Sequence, residues 1–260
     1  MAAPPALRSF EYWAYQYKRT WRGSLISSFL SPVLYLAAMG VGLGSLIDKN
    51  GNAGHHLGGV AYLPFLAPGL LAAAAMQTAA NESSYPVLGA IKWIRTYHAM
   101  LATPLRVIDV LLGHLAWIAL RLVMATTIFL GVMAAFGATE SWSAVFTVPA
   151  GVLTGLAFAA PIVAFAASQD NDARFAALFR FVIIPMFLFS GTFFPVTQLP
   201  AVLRTIAYLT PLWHGVDLCR TLALGTASVG GTAVHTLYLM VWVLGGTALA
   251  QVTYRRRLVN

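Results

Sequence analysis

The chain has 260 residues, of which 59% are hydrophobic and only 9% are charged. A soluble domain is about one quarter charged, so the composition excludes an ordinary soluble protein and predicts one membrane domain that crosses the bilayer several times. The net charge of +8 is not interpreted as nucleic-acid binding, because the cations lie at the ends of apolar segments, where they set topology and contact anionic lipids.

The first element in the chain is an amphipathic segment at residues 7–22. One face of this predicted helix carries Leu7, Phe10, Trp13, Tyr17 and Trp21. The opposite face is basic, which predicts a helix lying on the cytoplasmic surface with its aromatic rings at headgroup level. We expect it either to anchor the chain or to help dock a partner.

Six apolar segments are long enough to cross a bilayer, which requires about 20 residues of helix. The pattern predicts an all-α membrane protein with six transmembrane helices at residues 25–47, 60–80, 107–136, 144–168, 175–194 and 234–250. The predicted cytoplasmic parts hold eleven Lys and Arg residues and the external parts three. This asymmetry predicts that both termini lie in the cytoplasm.

The connection between the second and third spans, residues 82–106, is basic, aromatic and too polar to cross the membrane. Pro86 and Pro104 bracket a predicted helix of about four turns. His114 is expected near the membrane interface, and Arg121 lies further along the third span. An arginine at membrane depth is costly and often functional, but its long stem can also carry the charge back to the headgroups; the second interpretation is preferred.

Asp170 and Asp172 lie in a short internal loop before the fifth span. Their spacing is similar to an acidic metal motif, but no further carboxylate stands nearby. We therefore expect no metal site here and predict that the two residues cap the next helix.

Residues 195–225 contain Pro195, Pro200 and Pro211, too many prolines for a simple spanning helix. The pattern predicts two short helices, at 199–209 and 212–224, the second ended by Gly225. Broken helices at membrane depth are tolerated where protein or a water-filled cavity satisfies the backbone. The segment is thus predicted to be a re-entrant or interfacial external hairpin between spans five and six, as in transporters.

The sequence lacks the motifs of several common nucleotide-binding and catalytic sites. The chain contains no Gly-x-x-x-x-Gly-Lys-Ser/Thr loop, no His-Glu-x-x-His, no Gly-x-Ser-x-Gly and no paired membrane carboxylates. The charge-poor spans also argue against a carrier coupled to protons or sodium. We therefore expect a transport pathway without catalysis, cofactor or energy source of its own, driven by a partner.

Three segments resemble the type-2 ABC exporter permeases, in particular the nodulation-type lipo-oligosaccharide and daunorubicin-exporter permeases. They are LSGTFFPVTQLPAVLRTIAYLTPLWHGVDLCR, YHAMLATPLRVIDVLLGHLAW and GLAFAAPIVAFAA. The resemblance extends over essentially the whole chain. It implies a subunit of the bacterial cytoplasmic membrane that pairs with a second permease, either the same chain or a homologue. Two cytoplasmic ABC ATPases would bind ATP and Mg and drive outward movement of a lipid-like, glycolipid or hydrophobic drug substrate.

The resemblance also implies roles for particular residues. The segment 82–106 would dock on the ATPase, with a smaller contact from the loop at 170–172; the implied coupling residues are Glu82, Tyr85, Lys92, Trp93, Arg95, Asp170 and Asp172. The substrate path would be lined by Met76, Gln77, Phe181, Met186, Phe187 and Phe189, although each is as readily an ordinary packing residue. The external cap would include Phe194, Pro195, Leu199, Pro200 and Trp213.

Two other functions remain open on the sequence alone. A membrane-embedded transferase acting on a lipid-linked substrate would need a polar catalytic cluster, and only Asp170, Asp172 and Arg174 come close to one. An assembly subunit without a transport path would bind an ATPase but move nothing.

Overall fold

The structure, a computed structural model, describes residues 4–49 and 59–259, and these ranges form helices without any strand. We number the α-helices in chain order. They are α1 Pro5–Tyr17, α2 Trp21–Tyr35, α3 Gly44–Lys49, α4 Tyr62–Ser83, α5 Tyr85–Leu88, α6 Thr96–Leu101, α7 Val107–Ala135, α8 Thr147–Ala167, α9 Ala173–Leu178, α10 Ile184–Phe189, α11 Ala201–Tyr208, α12 Pro211–Leu224 and α13 Val229–Leu258. Wider π-helical turns at Leu36–Leu43, Gly89–Trp93 and Phe179–Ile183 continue the helices they adjoin, and 3₁₀ turns lie at Trp142–Phe146 and Val196–Gln198.

Five helices in the described ranges are long and apolar enough to cross a membrane. They are Phe29–Ile47, Tyr62–Trp93, Val107–Ala135, Trp142–Ala167 and Val229–Leu258. The all-α membrane architecture predicted from composition is thereby confirmed. The predicted fifth span is a helix of only 17 residues, from Ala173 to Phe189, or about 25 Å. This falls short of the roughly 30 Å of a hydrocarbon core, so a sixth crossing stays a prediction.

Helix α4 lies at the centre of the subunit and packs against α7, α8 and α12. Its middle is built from small residues, including Ala72, Ala73 and Ala75, which are buried. Small side chains let helices approach closely, and this close packing replaces the hydrophobic driving force that is missing between helices in lipid. Helix α8 packs between α4 and the last helix, α13.

Helix α1 differs from the sequence expectation in what its aromatic face contacts. Trp13 is buried and stacks on His114 of α7 with a centroid distance of 4.3 Å, and Tyr17 packs on Trp117 at 5.4 Å. These rings therefore do not sit among headgroups; they attach α1 to α7. His114 is also fully buried rather than near the interface, and its Nδ1 lies 2.6 Å from the Tyr97 hydroxyl.

Candidate functional site

The segment 82–106 is a direct extension of the second span. The helix that begins at Tyr62 continues through Trp93 without leaving the helical path, despite an irregular Ser84. Two residues after Trp93 the chain turns at Arg95, which adopts a left-handed conformation with φ of 57°. Arg95 is the one non-glycine residue with positive φ in the described ranges. The predicted four-turn helix between Pro86 and Pro104 is therefore wrong, because the chain bends at Arg95 and restarts as α6. The bend leaves Trp93 58% exposed.

Three parts of the chain meet beside this bend. Lys92 Nζ donates to the Asp170 carbonyl at 2.5 Å, and Arg257 Nη2 contacts Asp170 Oδ1 at 2.6 Å. The Arg257 guanidinium, helped by Lys92, lowers the pKa of the Asp170 carboxyl. The two cations thus connect the loop before α9 to two other parts of the chain. These are the tip of the segment 82–106, which we call the coupling segment, and the end of α13.

The predicted capping role of the two aspartates is wrong. Asp172 occupies the N-cap position of α9 but its side chain makes no capping bond. Asn171 Oδ1 accepts instead from the Ala173 amide at 3.2 Å, while Asp170 is occupied by Arg257. The transferase interpretation also loses support, because the ion pair holds Asp170 ionised and unsuited to donate a proton.

A basic cavity of about 370 Å³ adjoins the network. It is lined by Ile91, Lys92, Arg95, His98 and Arg257, which we call the basic cluster. Three permanent cations around one concave surface produce a positive potential that attracts carboxylates. The cluster is the feature of the coupling segment that best fits an acidic partner surface.

Two of the predicted coupling residues lie away from the basic cluster. Glu82 Oε1 pairs with Arg121 Nε at 3.0 Å, with both side chains mostly buried, and the guanidinium lies 4.4 Å above the Tyr17 ring. The preferred interpretation of Arg121, a side chain reaching back to the headgroups, is therefore wrong. Tyr85 packs edge-on against Phe175 at 5.1 Å.

The predicted path residues divide into four environments. Met76 is 0% exposed and lies in the core, whereas Gln77 lines a cavity of about 270 Å³ between α2, α4 and α7. Phe187 packs edge-on against Phe193. Phe181, Met186 and Phe189 line an apolar cavity of about 340 Å³ that α11 closes on its other side. The structure thus brings three of the six together on one surface.

The predicted cap residues form a small core of their own. Phe194, Leu199 and Trp213 pack around Val196 and Ala207. Pro195 and Pro200 immediately precede the 3₁₀ turn and α11, respectively, where a missing amide hydrogen costs nothing. The hairpin contains the two helices α11 and α12, and Gly225 ends the second with φ of 71°.

The Arg220 side chain fixes this hairpin to α4, a contact that the sequence did not indicate. Arg220 Nε donates to the Phe65 carbonyl at 2.9 Å, and its Nη2 donates to the Gly191 carbonyl at 2.8 Å. The guanidinium also lies 3.8 Å above the Phe65 ring. One side chain thus joins three separate parts of the chain.

A hydrogen-bonded imidazole pair joins the hairpin to α13. His214 Nδ1 lies 2.9 Å from His235 Nδ1, His214 Nε2 lies 3.1 Å from the Tyr208 carbonyl, and His235 Nε2 lies 3.1 Å from Asp217 Oδ2. Satisfying all three contacts needs three hydrogens on two rings, so the fully bonded pair holds one positive charge opposite Asp217. A fourth hydrogen would break the contact between the rings. Burial and the second ring accordingly lower the pKa of His214 to about 4.

Comparison with known proteins decides the family. The profile described as "ABC-2 type transporter" matches residues 10–224. Nodulation protein J of Rhizobium leguminosarum bv. trifolii is 36% identical over 94% of this chain and 90% of its own length. Nodulation protein J of Neorhizobium galegae is 35% identical over 97% of this chain and 92% of its length. The inner membrane transport permease YadH of Escherichia coli (strain K12) is 23% identical over 92% and 94%.

The chain belongs to the ABC-2 type transporter family. The resemblance seen in the sequence is thereby confirmed, and this chain is a permease subunit of a transporter. The family match includes the residues predicted to couple to an ATPase, to line a path and to form a cap in this ABC-2 permease, but it ends at the C-terminus of α12. Helix α13 nevertheless supplies Arg257 to the basic cluster and His235 to the cap. The three consecutive arginines at 255–257 were the only sequence signal for the first of these contacts.

Proposed function

We propose that this ABC-2 permease is the membrane subunit of an ATP-driven exporter. It pairs with a second permease, and two cytoplasmic ABC ATPases bind ATP and Mg and supply the work. The substrate is amphipathic and lipid-like, as a glycolipid, a lipo-oligosaccharide or a hydrophobic drug is, and it moves outward across the cytoplasmic membrane. The chain itself catalyses no reaction.

The observation that carries this proposal is the continuity of the coupling segment with α4. The helix from Tyr62 to Trp93 has 32 residues, so a force applied at its cytoplasmic tip acts on the span itself. The basic cluster supplies the attraction for an acidic surface on the ATPase, and the exposed Trp93 supplies an aromatic contact of the kind that anchors protein interfaces. The contacts of Lys92 and Arg257 with Asp170 connect α9 and α13 to the same cytoplasmic tip of the coupling segment.

The outward-facing phenylalanines support an apolar or amphipathic cargo. Phe181 is 78% exposed, and Phe189 lies on the same cavity opposite Leu203 and Ile206. Between two permease subunits such a surface provides an apolar lining without charged groups. A hydrophilic solute would gain nothing from this lining, whereas an acyl chain or an aromatic drug buries its surface there.

The test uses the permease assembled with its ATPase in lipid nanodiscs. Trp93→Ala and Arg95→Ala remove the aromatic contact and one cation of the basic cluster, and Arg95→Ala keeps a Cβ at the left-handed position. We expect each variant to lower substrate-stimulated ATP hydrolysis about tenfold, within the usual range of coupling energies. Trp142→Ala is the matched control, because Trp142 is 79% exposed and lies on the side predicted to be external.

Two results decide the assignment. Normal stimulation together with normal assembly in both coupling variants would show that the ATPase docks elsewhere. ATP-dependent movement of a fluorescent glycolipid in proteoliposomes tests the transport step itself, and full activity of the permease without any ATPase contradicts the proposal.

A further inference from the structure

A cavity of about 440 Å³ lies between α1, the coupling segment and α7, away from the basic cluster. We call it the interfacial cavity. Its lining includes the six aromatic side chains Tyr12, Trp13, Tyr17, Tyr85, Trp93 and Trp117. This volume falls within the range of small-molecule sites, which are commonly apolar with a few placed polar groups.

The interfacial cavity is electrically neutral. Among the described residues, Arg121 and Glu82 are the only charged ones that line it, and they pair with each other at 3.0 Å. An anionic head such as a phosphate gains little from an arginine whose charge is already balanced, and it is repelled by the carboxylate. A cationic head likewise gains little from a carboxylate whose charge is already balanced, and it is repelled by the arginine. The charge balance therefore favours a neutral guest.

The walls of the cavity suit a polyhydroxylated guest. Six of the lining side chains are tryptophan or tyrosine. Trp13 already stacks on His114 and Tyr17 lies beneath Arg121, so contact with a sugar falls to the other four rings, above all the exposed Trp93. Aromatic faces carry negative partial charge that attracts the polarised C–H groups of a sugar ring. Trp13 Nε1 and the Tyr17 hydroxyl are buried without a hydrogen-bond partner among the described residues. Buried donors without a partner are costly, so small shifts that let a hydroxyl-rich ligand reach them are favourable.

A second cavity begins on the other side of the ion pair. The cavity of about 270 Å³ between α2, α4 and α7 shares Glu82 and Arg121 with the interfacial cavity. Gln77, Thr78 and Asn81 supply amide and hydroxyl groups to its wall. The ion pair thus lies between a mainly aromatic cavity and a more polar one along one side of α4.

We propose that the interfacial cavity binds the neutral, polyhydroxylated head of an amphipathic substrate, with the Glu82–Arg121 pair as the partition toward the second cavity. The site is formed within one subunit, beneath the interfacial helix, and is distinct from the apolar surface at Phe181. The proposal rests on the proposed function for its substrate class, but the binding event needs neither ATP nor the ATPase.

The experiment measures tryptophan fluorescence of the full chain in nanodiscs. Three of the seven tryptophans line the cavity, Trp13, Trp93 and Trp117. The probes are 2,2,2-tribromoethyl glucoside and 2,2,2-tribromoethyl phosphate, which carry the same quencher on a neutral and on an anionic head. We expect saturable quenching by the glucoside, relieved by unlabelled alkyl glucoside, and no saturable quenching by the phosphate.

Two variants locate the site. Gln16→Phe fills the cavity from the exposed face of α1 and should raise the half-saturating glucoside concentration at least about tenfold, or 1.4 kcal/mol. Gln251→Phe, the same change at an exposed position of α13, should leave quenching unchanged. Glu82→Gln removes the carboxylate that pairs with Arg121 and should bring in saturable quenching by the phosphate, which a merely structural role of Glu82 does not produce.

The proposal is overturned by any of three results: equal, non-saturable quenching by both probes, glucoside binding that survives Gln16→Phe unchanged, or native preference for the phosphate. Glucoside binding without ATP-dependent transport overturns the exporter proposal alone. Transport without glucoside binding overturns the interfacial site alone.

Discussion

Replacing Arg220 with methionine tests how the hairpin of α11 and α12 is attached to the rest of the subunit. Methionine keeps an unbranched stem in the same space but removes every donor. The Phe65 and Gly191 carbonyls then lose hydrogen bonds of 2.9 and 2.8 Å. Because each hydrogen bond from a charged group contributes about 1.5–3 kcal/mol, we expect Arg220→Met to lower the free energy of unfolding by about 3–5 kcal/mol.

Arg204→Met is the matched control for this change. Arg204 Nη2 also donates to two carbonyls, those of Thr197 at 2.7 Å and Leu199 at 3.0 Å. Both acceptors lie within the cap itself, and the bond to Thr197 is exposed to solvent, so this loss should cost less, about 1–2 kcal/mol, and leave the hairpin attached to α4. Denaturant unfolding in detergent measures the free energies, and amide hydrogen exchange of α12 reports the attachment. Equal effects of the two substitutions, or no faster exchange in Arg220→Met, would refute the reasoning.

Three further predictions concern other parts of the fold. Burial lowers the pKa of His214 to about 4, so His214 takes up a proton in the unfolded chain before it does in the folded one as the pH falls below about 6.5. The stability of the hairpin should therefore decline between pH 6.5 and 4. His214→Gln should remove most of this pH dependence, measured as amide hydrogen exchange of α12. Gly246→Leu forces a side chain into the α8 backbone near Pro161 and should cost about 1–3 kcal/mol, whereas Gly245→Leu, with open space at its Cβ, should change denaturant unfolding by less than about 0.5 kcal/mol. Asp170→Asn should leave the midpoint of thermal unfolding unchanged, since exposed ion pairs contribute little.

Periodicity and proline spacing predicted the elements of this protein better than the partners of its polar side chains. The dense prolines at 195, 200 and 211 indicated a broken external segment because each ring excludes an interior helical position, and the structure has short helices there. By contrast, Pro86 suggested the start of a separate helix of about four turns, whereas it lies in the first turn of the short α5, which continues the path of α4 after Ser84 and reaches only Trp93.

Charged and aromatic residues were assigned to faces but not to contacts. The aromatic stripe of α1 was evident, yet a stripe that faces lipid headgroups and one that faces α7 have the same spacing. Arg121 and Glu82 are 39 positions apart, and Arg257 and Asp170 are 87 apart. Such pairs depend on how helices from different parts of the chain pack, which the local pattern does not encode.

Helix α13 connects the two ends of the subunit through specific contacts. At its C-terminal end Arg257 holds Asp170. Near its N-terminal end His235 contacts both His214 and Asp217, and the Tyr238 hydroxyl donates to the Leu209 carbonyl at 2.5 Å. The 22 positions from His235 to Arg257 lie in one uninterrupted helix, which spans roughly 33 Å, about the thickness of the hydrocarbon core. An uninterrupted helix that is fixed at both ends transmits an axial displacement, whereas one joined by loops absorbs it. The contacts of α13 therefore link the basic cluster to the hairpin through one continuous helix, the one long helix that the family match does not reach.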